Sequence, residues 1–204
     1  MANLLSYALC SVSDVRDTPG FPAASAISDN YVIRKINQAT EMIESYCDRR
    51  FASTAYTDEP HDGSLTDQLT LQQYPISNVT LKARSSVLNQ ASTNTIDTDL
   101  YFINSEAGTI GAVRTFYGHF DRWLVSYTGG YATIPSDLSE ACATLAAYLC
   151  LNALTPGQLT KRKQEGGREI EYLPGNSNLV GVIQQIGIDS ILDPYAKVNI
   201  SGNR

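Results

Sequence analysis

The sequence predicts an α+β protein: a helical bundle from N- and C-terminal helices, an antiparallel β sub-domain inserted between the two long helices, and an extended C-terminal arm. Three observations carry this. Apolar residues step by four and three in two long stretches, the pattern changes to a period of two between Phe51 and Tyr131, and turn residues punctuate that middle region at the spacing of short strands. The expected division is a core at 1–154, with helices near 11–18, 29–50 and 136–154 and a β-region near 51–131, followed by an arm at 155–204.

Ser11 or Ser13 is placed to cap a short helix that Pro19 and Gly20 stop. Ser28 or Asp29 opens the first long helix, where Val32, Ile36, Ala39, Ile43 and Tyr46 form one apolar stripe. Arg34, Lys35, Gln38, Glu41 and Asp48 fall mostly off that stripe, which leaves one wet face and one face that must pack. In the β-region, Leu69 alternates with Leu71 and Val79 with Leu81, while Leu124 and Ser126 oppose Val125 and Tyr127. Turns are expected at Asp62-Gly63, Tyr74-Pro75, Gly108, Gly111, Gly118 and Gly129-Gly130. The nearly uncharged stretch Ser85 to Thr98 reads as a surface loop or long hairpin tip projecting toward a neighbouring protein.

The second long helix follows Pro135, with Asp137 and Glu140 in capping-box spacing, and Pro156-Gly157 ends it. Its stretch Ala141 to Leu151 is apolar almost all round, so either a bundle or another subunit must cover several of its faces. Val32, Ile36, Ala39 and Ile43 are expected to pack with Leu138, Cys142, Leu145 and Leu149, as helical core or as subunit packing. Beyond it, Lys161 to Gly167 is polar and flexible in character, Glu169 to Tyr172 alternates like an edge strand, and Leu179 to Leu192 suits one or two helical turns. Too poor in apolar residues for a core of its own, this tail is expected to take most of its order from partners.

At 204 residues the chain can bury a core without disulfides or metal, and 43% hydrophobic with 18% charged residues fits an ordered soluble domain. The start carries no basic residue before its apolar ones, and no stretch reaches the roughly 18 apolar residues of a membrane span, so neither secretion nor a membrane is expected. Cys10, Cys47, Cys142 and Cys150 have no metal-site spacing and read as reduced thiols. A net charge of -6 opposes a grip on nucleic acid through phosphates, though a surface that DNA slides past is compatible with it.

Catalytic chemistry finds little footing. His61 and His119 are the only imidazoles and lie in separate segments; His61-Asp62 near Glu59 is better explained as a polar turn than as a cation site. Gly157-Gln-Leu-Thr-Lys-Arg162 lacks the second glycine and the Lys-Ser/Thr of a phosphate loop. Asp97 with Asp99, or Glu169 with Glu171, would share one solvated face of a strand, whereas acid-base pairs need environments that separate their pKa values. Lys161-Arg-Lys163 reads as a solvated loop, and the tyrosines as core or interface anchors. No catalytic residue, cofactor or metal is therefore expected, and the pattern favours assembly over catalysis.

Three segments carry a resemblance. Ile43-Glu-Ser-Tyr-Cys-Asp-Arg-Arg-Phe51, Leu69-Thr-Leu-Gln-Gln-Tyr-Pro-Ile-Ser-Asn-Val79 and Val125-Ser-Tyr-Thr-Gly-Gly-Tyr-Ala-Thr-Ile-Pro-Ser-Asp-Leu138 resemble, in order, segments of the head-to-tail connector (adaptor, head-completion) family of long-tailed bacteriophages. Glu165 to Tyr172 and Ile191-Leu-Asp-Pro-Tyr195 add two shorter similarities, while the 18–28 and 85–98 segments depart from the pattern. The resemblance implies a structural virion protein forming a homo-oligomeric ring, commonly of about twelve copies, by head-to-tail contacts that close on rotation. Such a ring joins the portal protein to the next neck or tail-completion protein and lines a channel that DNA passes without specific binding. It further implies residence in the virion neck after synthesis in the bacterial host cytoplasm, with no cofactor, and C-terminal portal docking, for which Ile191, Leu192 and Tyr195 are the apolar anchors. The alternative is a free-standing binding module whose β-region and 85–98 loop take a host or carbohydrate ligand. A hydrolase comes last, because no nucleophile and base can be paired.

Overall fold

In the computed structural model, which describes residues 2–23, 26–63, 66–84, 93–112, 116, 122–154, 163–165, 168–170 and 179–196, Ser11 opens helix α1 (Val12–Arg16) through a reciprocal cap. Its hydroxyl accepts the Asp14 N–H while the Asp14 carboxylate accepts the Ser11 N–H, satisfying two amides that a helix start leaves unpaired. Helix α2 (Asp29–Cys47) follows Ser28 and ends at Asp48, whose left-handed backbone (φ 51°) returns its N–H to the Glu44 carbonyl. Helix α3 (Ser136–Leu154) has the bounds expected near 136–154, but it begins two residues earlier than a cap at Asp137 would set. The Ser139 N–H already donates to the Pro135 carbonyl, so Asp137 lies in the first turn and accepts from Leu138.

The chain divides into two units, Met1–Arg49 with Ile134–Arg204, and Arg50–Thr133. In the first, α1, α2 and α3 pack together, and helices α4 (Leu179–Ile186) and α5 (Asp189–Leu192) join them, followed by a 3-10 turn at Asp193–Tyr195. The extended arm expected for 155–204 is thus not extended over 179–196. Ile183, Ile188 and Leu192 are buried, and Gly187 (φ 78°) supplies the left-handed turn between α4 and α5. Lys163–Glu165, read from sequence as flexible, is a strand: it pairs antiparallel with Arg168–Ile170, which overlaps the edge strand expected at Glu169 to Tyr172, and 171–172 lie outside the described residues.

Among its described residues the second unit holds seven strands, β1 (Thr54–His61), β2 (Gln68–Thr70), β3 (Ile76–Arg84), β4 (Thr93–Thr95), β5 (Tyr101–Asn104), β6 (Thr109–Ala112) and β7 (Trp123–Gly129). They form antiparallel sheets in the orders β1-β7-β3-β4 and β2-β6-β5. Leu69, Tyr101 and Ile110 from the smaller sheet meet Ile76, Leu81, Val125 and Tyr127 from the larger in one core, which Leu71 and Phe116 complete. Because side chains alternate along a strand, the residues between these point away from the core on two opposite outer faces.

Tyr74-Pro75 is a cis peptide at the expected turn. The 85–98 stretch is in part a hairpin: Thr93–Thr95 pair with Lys82–Arg84, and residues 85–92 between them lie outside the described residues. Gly111 is not a turn residue but stands inside β6, opposite Phe102 of β5 and Gln68 of β2. Gly118 lies outside the described residues.

Candidate assembly site

The apolar stripe of α2 buries Val32, Ile36, Ala39 and Ile43 completely, and α3 does the same with Leu138, Cys142 and Leu145, whereas Leu149 is half-buried. Ala141, Ala143, Ala146 and Ala147 are buried as well, so over this stretch the cover for α3 comes from the chain's own helices. Leu151 remains exposed. Within this core the Thr40 hydroxyl accepts the Leu9 N–H at 3.3 Å and lies 3.7 Å from the Cys142 Sγ. Cys10 directs its thiol at the Cys142 Sγ, 3.4 Å away. That contact and burial both raise the Cys10 pKa, and burial pushes the Cys47 thiol up to about 12 against the opposing Arg49. All four cysteines are free and buried.

The candidate docking residues of the tail are held by the chain itself. Leu192 is fully buried, while Ile191 and Tyr195 are half-buried. The Tyr195 hydroxyl donates to Asp137 Oδ2 at 2.7 Å, and the Tyr46 hydroxyl donates to Asp193 Oδ1 at 2.7 Å. That bond to a carboxylate, more than burial, raises the Tyr46 pKa to about 12. The order of this segment therefore has an intramolecular source where sequence alone pointed to partners.

In the β-unit, His61 Nε2 approaches Glu59 Oε1 at 2.9 Å, and the Tyr127 hydroxyl donates to Glu59 Oε2 at 2.9 Å. Burial outweighs the Glu59 carboxylate and lowers the His61 pKa, so the imidazole is neutral at pH 7. Burial also raises the Tyr127 pKa. Asp58 accepts from Lys82 at 2.7 Å and from the Ser126 hydroxyl at 3.0 Å, and its pKa falls, mainly through the Lys82 bond. Asp97 caps a 3-10 turn by accepting the Asp99 N–H at 3.3 Å, which gives the pair a structural part. Among the described residues no group of three His, Cys, Asp or Glu is placed to hold a metal ion, and no helix is long and apolar enough to cross a membrane. His119, Glu171, Lys161, Arg162 and Gly157 lie outside the described residues.

One feature escaped the sequence reading. Leu100, Phe102 and Ile103 are 52%, 61% and 45% exposed on and beside β5, at the edge of the three-stranded sheet. The Phe102 ring lies over Gly111, where a Cβ would come within 2.0 Å of its Cζ. A glycine inside a strand often marks such a close approach, and that was the available signal.

A family model described as head completion protein matches residues 8–195. The chain belongs to the head completion protein family. Membership makes it a structural component of a phage-like particle and not an enzyme. Solved structures agree on the fold of this head completion protein. It is similar to a chain in the neck of an empty gene transfer agent particle computed with C6 symmetry, at 16% identity and TM-score 0.60, covering 100% of this chain and 99% of the other. A chain in the neck of the native particle computed with C12 symmetry matches at 16% identity and TM-score 0.57, with the same coverage. A third, from the virion of the native particle, matches at 15% identity and TM-score 0.57, covering 99% and 96%. Among curated proteins, a comparison by sequence finds no match.

Proposed function

We propose that this head completion protein forms a homo-oligomeric ring in the neck of a phage virion, joining the portal protein to the next neck or tail component and lining the DNA channel. The observation that supports this most is the family match over nearly the whole chain, joined to a fold shared with proteins of rotationally symmetric necks. The copy number that goes with it is about twelve, and the contacts are head-to-tail, each copy offering two different faces. A net charge of -6 suits a lumen that lets DNA pass without holding it. Synthesis takes place in the bacterial host cytoplasm, and no cofactor takes part.

Portal docking falls to the α4–α5 segment. Ile191 and Tyr195 stand at its surface, and buried Leu192 fixes its shape by packing inward. A rigid segment of this kind binds weakly as one copy and firmly when a ring presents many at once. The test is complementation of particles lacking this protein. Wild-type chain is expected to restore DNA-filled heads joined to tails, and Ile191→Ala with Tyr195→Phe to leave ring-bearing complexes that dissociate from the portal. Complete particles formed without the protein would refute its place in the neck.

A further inference from the structure

Residues 2–10 form an irregular segment that three side chains of α2 hold as a strap. The Ala2 N–H donates to Asn30 Oδ1, and the Leu5 N–H donates to Asn37 Oδ1 at 3.1 Å while Asn37 Nδ2 donates to the Asn3 carbonyl at 2.9 Å. Further on, the Leu9 N–H donates to the Thr40 hydroxyl. The strap thus runs along α2 in the helix's own direction and ends at Cys10, directly before the Ser11 cap of α1. There its sulfur meets that of Cys142 on α3, 3.4 Å away and 132 positions further along the chain. The Thr40 hydroxyl, 3.7 Å from the same Cys142 sulfur, brings α2 to this point as well. Cys142 is fully buried and Cys10 is 6% exposed, so Cys10 is the sulfur that a small reagent reaches first.

We propose that Cys10 and Cys142 are an oxidation site, closing into a disulfide that locks the strap of residues 2–10 onto α3. Going from 3.4 Å to a bond of about 2.05 Å asks for a small movement, and the strap can make it, because single side-chain bonds hold it and not a helix or sheet ladder. Cys47 is set differently, with its thiol directed at the Leu192 carbonyl 3.8 Å away. The oxidant is hydrogen peroxide, small enough to enter where bulkier reagents do not. A Cys10 thiolate attacks one peroxide oxygen, the O–O bond breaks, and the departing hydroxide takes up the thiol's proton as water, leaving a sulfenic acid. The Cys142 sulfur then attacks the Cys10 sulfur, the S–O bond breaks, and the second hydroxide leaves as water with the Cys142 proton. Two thiols lose two hydrogens and two electrons, and one peroxide becomes two waters. Burial and the Cys142 contact raise the Cys10 pKa, so thiolate is scarce and the first step is slow. The lock therefore stays open in a reducing cytoplasm and closes in oxidising surroundings.

The lock is tested on the purified full-length chain, kept reduced, then held with hydrogen peroxide for hours, quenched, denatured and labelled with a maleimide. We expect all four cysteines labelled before oxidation and only Cys47 and Cys150 after it, with a return to four on reduction. Peptide mapping without reductant should find one linked pair, Cys10 with Cys142. Amide hydrogen exchange over residues 2–10 should slow at least about tenfold in the oxidised chain. Cys10→Ser should abolish both the linkage and the slowing, while exchange within α2 and α3 stays as in the reduced wild type. Sulfinic acid at Cys10 without a linked peptide, or a linkage that involves Cys47 or Cys150 instead, would overturn the site. A Cys10–Cys142 linkage that leaves exchange over residues 2–10 unchanged would overturn the lock.

Discussion

Phe102 and Gly111 face each other across the β5–β6 pair, and the aromatic ring occupies the space where any side chain at 111 would begin. Because Phe102 is 61% exposed, a methyl group at 111 can push the ring outward without disturbing the core. Gly111→Ala should therefore cost only about 1 kcal/mol of stability, read as a small fall in Tm. A fall in Tm as large as that of a core substitution would mean that the ring cannot swing aside.

The helical core sets a sharper contrast. Leu145 is fully buried between α2 and α3, so Leu145→Asp puts an unpaired carboxylate there, at a cost of several kcal/mol. Leu151, 38% exposed on the same helix, should accept aspartate within about 0.5 kcal/mol. Leu192→Ala should cost about 2–5 kcal/mol, as for a core leucine. Chemical denaturation of the three variants checks the order; a neutral Leu192→Ala would return the C-terminal segment to the status of a loose arm.

His61 gives the β-unit a pH dependence of known sign. Its folded pKa lies below the ordinary 6.5 because burial outweighs the neighbouring Glu59 and Asp62, so between the two values the unfolded chain binds more protons. The contribution to stability is fully present above about pH 6.5 and is lost as pH falls through the folded value. Urea unfolding at pH 5 and pH 8 should show a larger loss on acidification for wild type than for His61→Gln. Equal losses would mean that the imidazole is charged in the folded state.

The thiols should be silent in the native protein. Cys10, Cys47, Cys142 and Cys150 are buried, and for Cys10, Cys47 and Cys150 the pKa is raised, which lowers the thiolate population that reacts. A maleimide should label none within minutes under native conditions and all four in denaturant. Rapid native labelling at one site would expose local opening of the helical unit.

The long helices were legible in the sequence because burial of one face writes itself as a period: Val32, Ile36, Ala39 and Ile43 share a stripe, and their spacing alone marks the buried side. The exchange of period at Phe51 marked the β-region for the same reason. Two things were not legible. Ile183, Ile188 and Leu192 are too few to announce a core segment by themselves, and their burial depends on a groove supplied by distant α2 and α3. Gly111 read as a turn because a glycine's sequence neighbours do not reveal that a cross-strand aromatic ring covers it. A smaller displacement concerns Asp137, whose capping pattern was overridden by Pro135, two positions ahead.

A cryo-EM reconstruction of the intact neck, refined without imposed symmetry, bears most directly on the account. It should show this chain as a closed ring of about twelve copies between the portal and the next neck component, with its α4–α5 segment against the portal. A neck whose density accommodates no ring of this fold, or a ring built entirely from another chain, would contradict it.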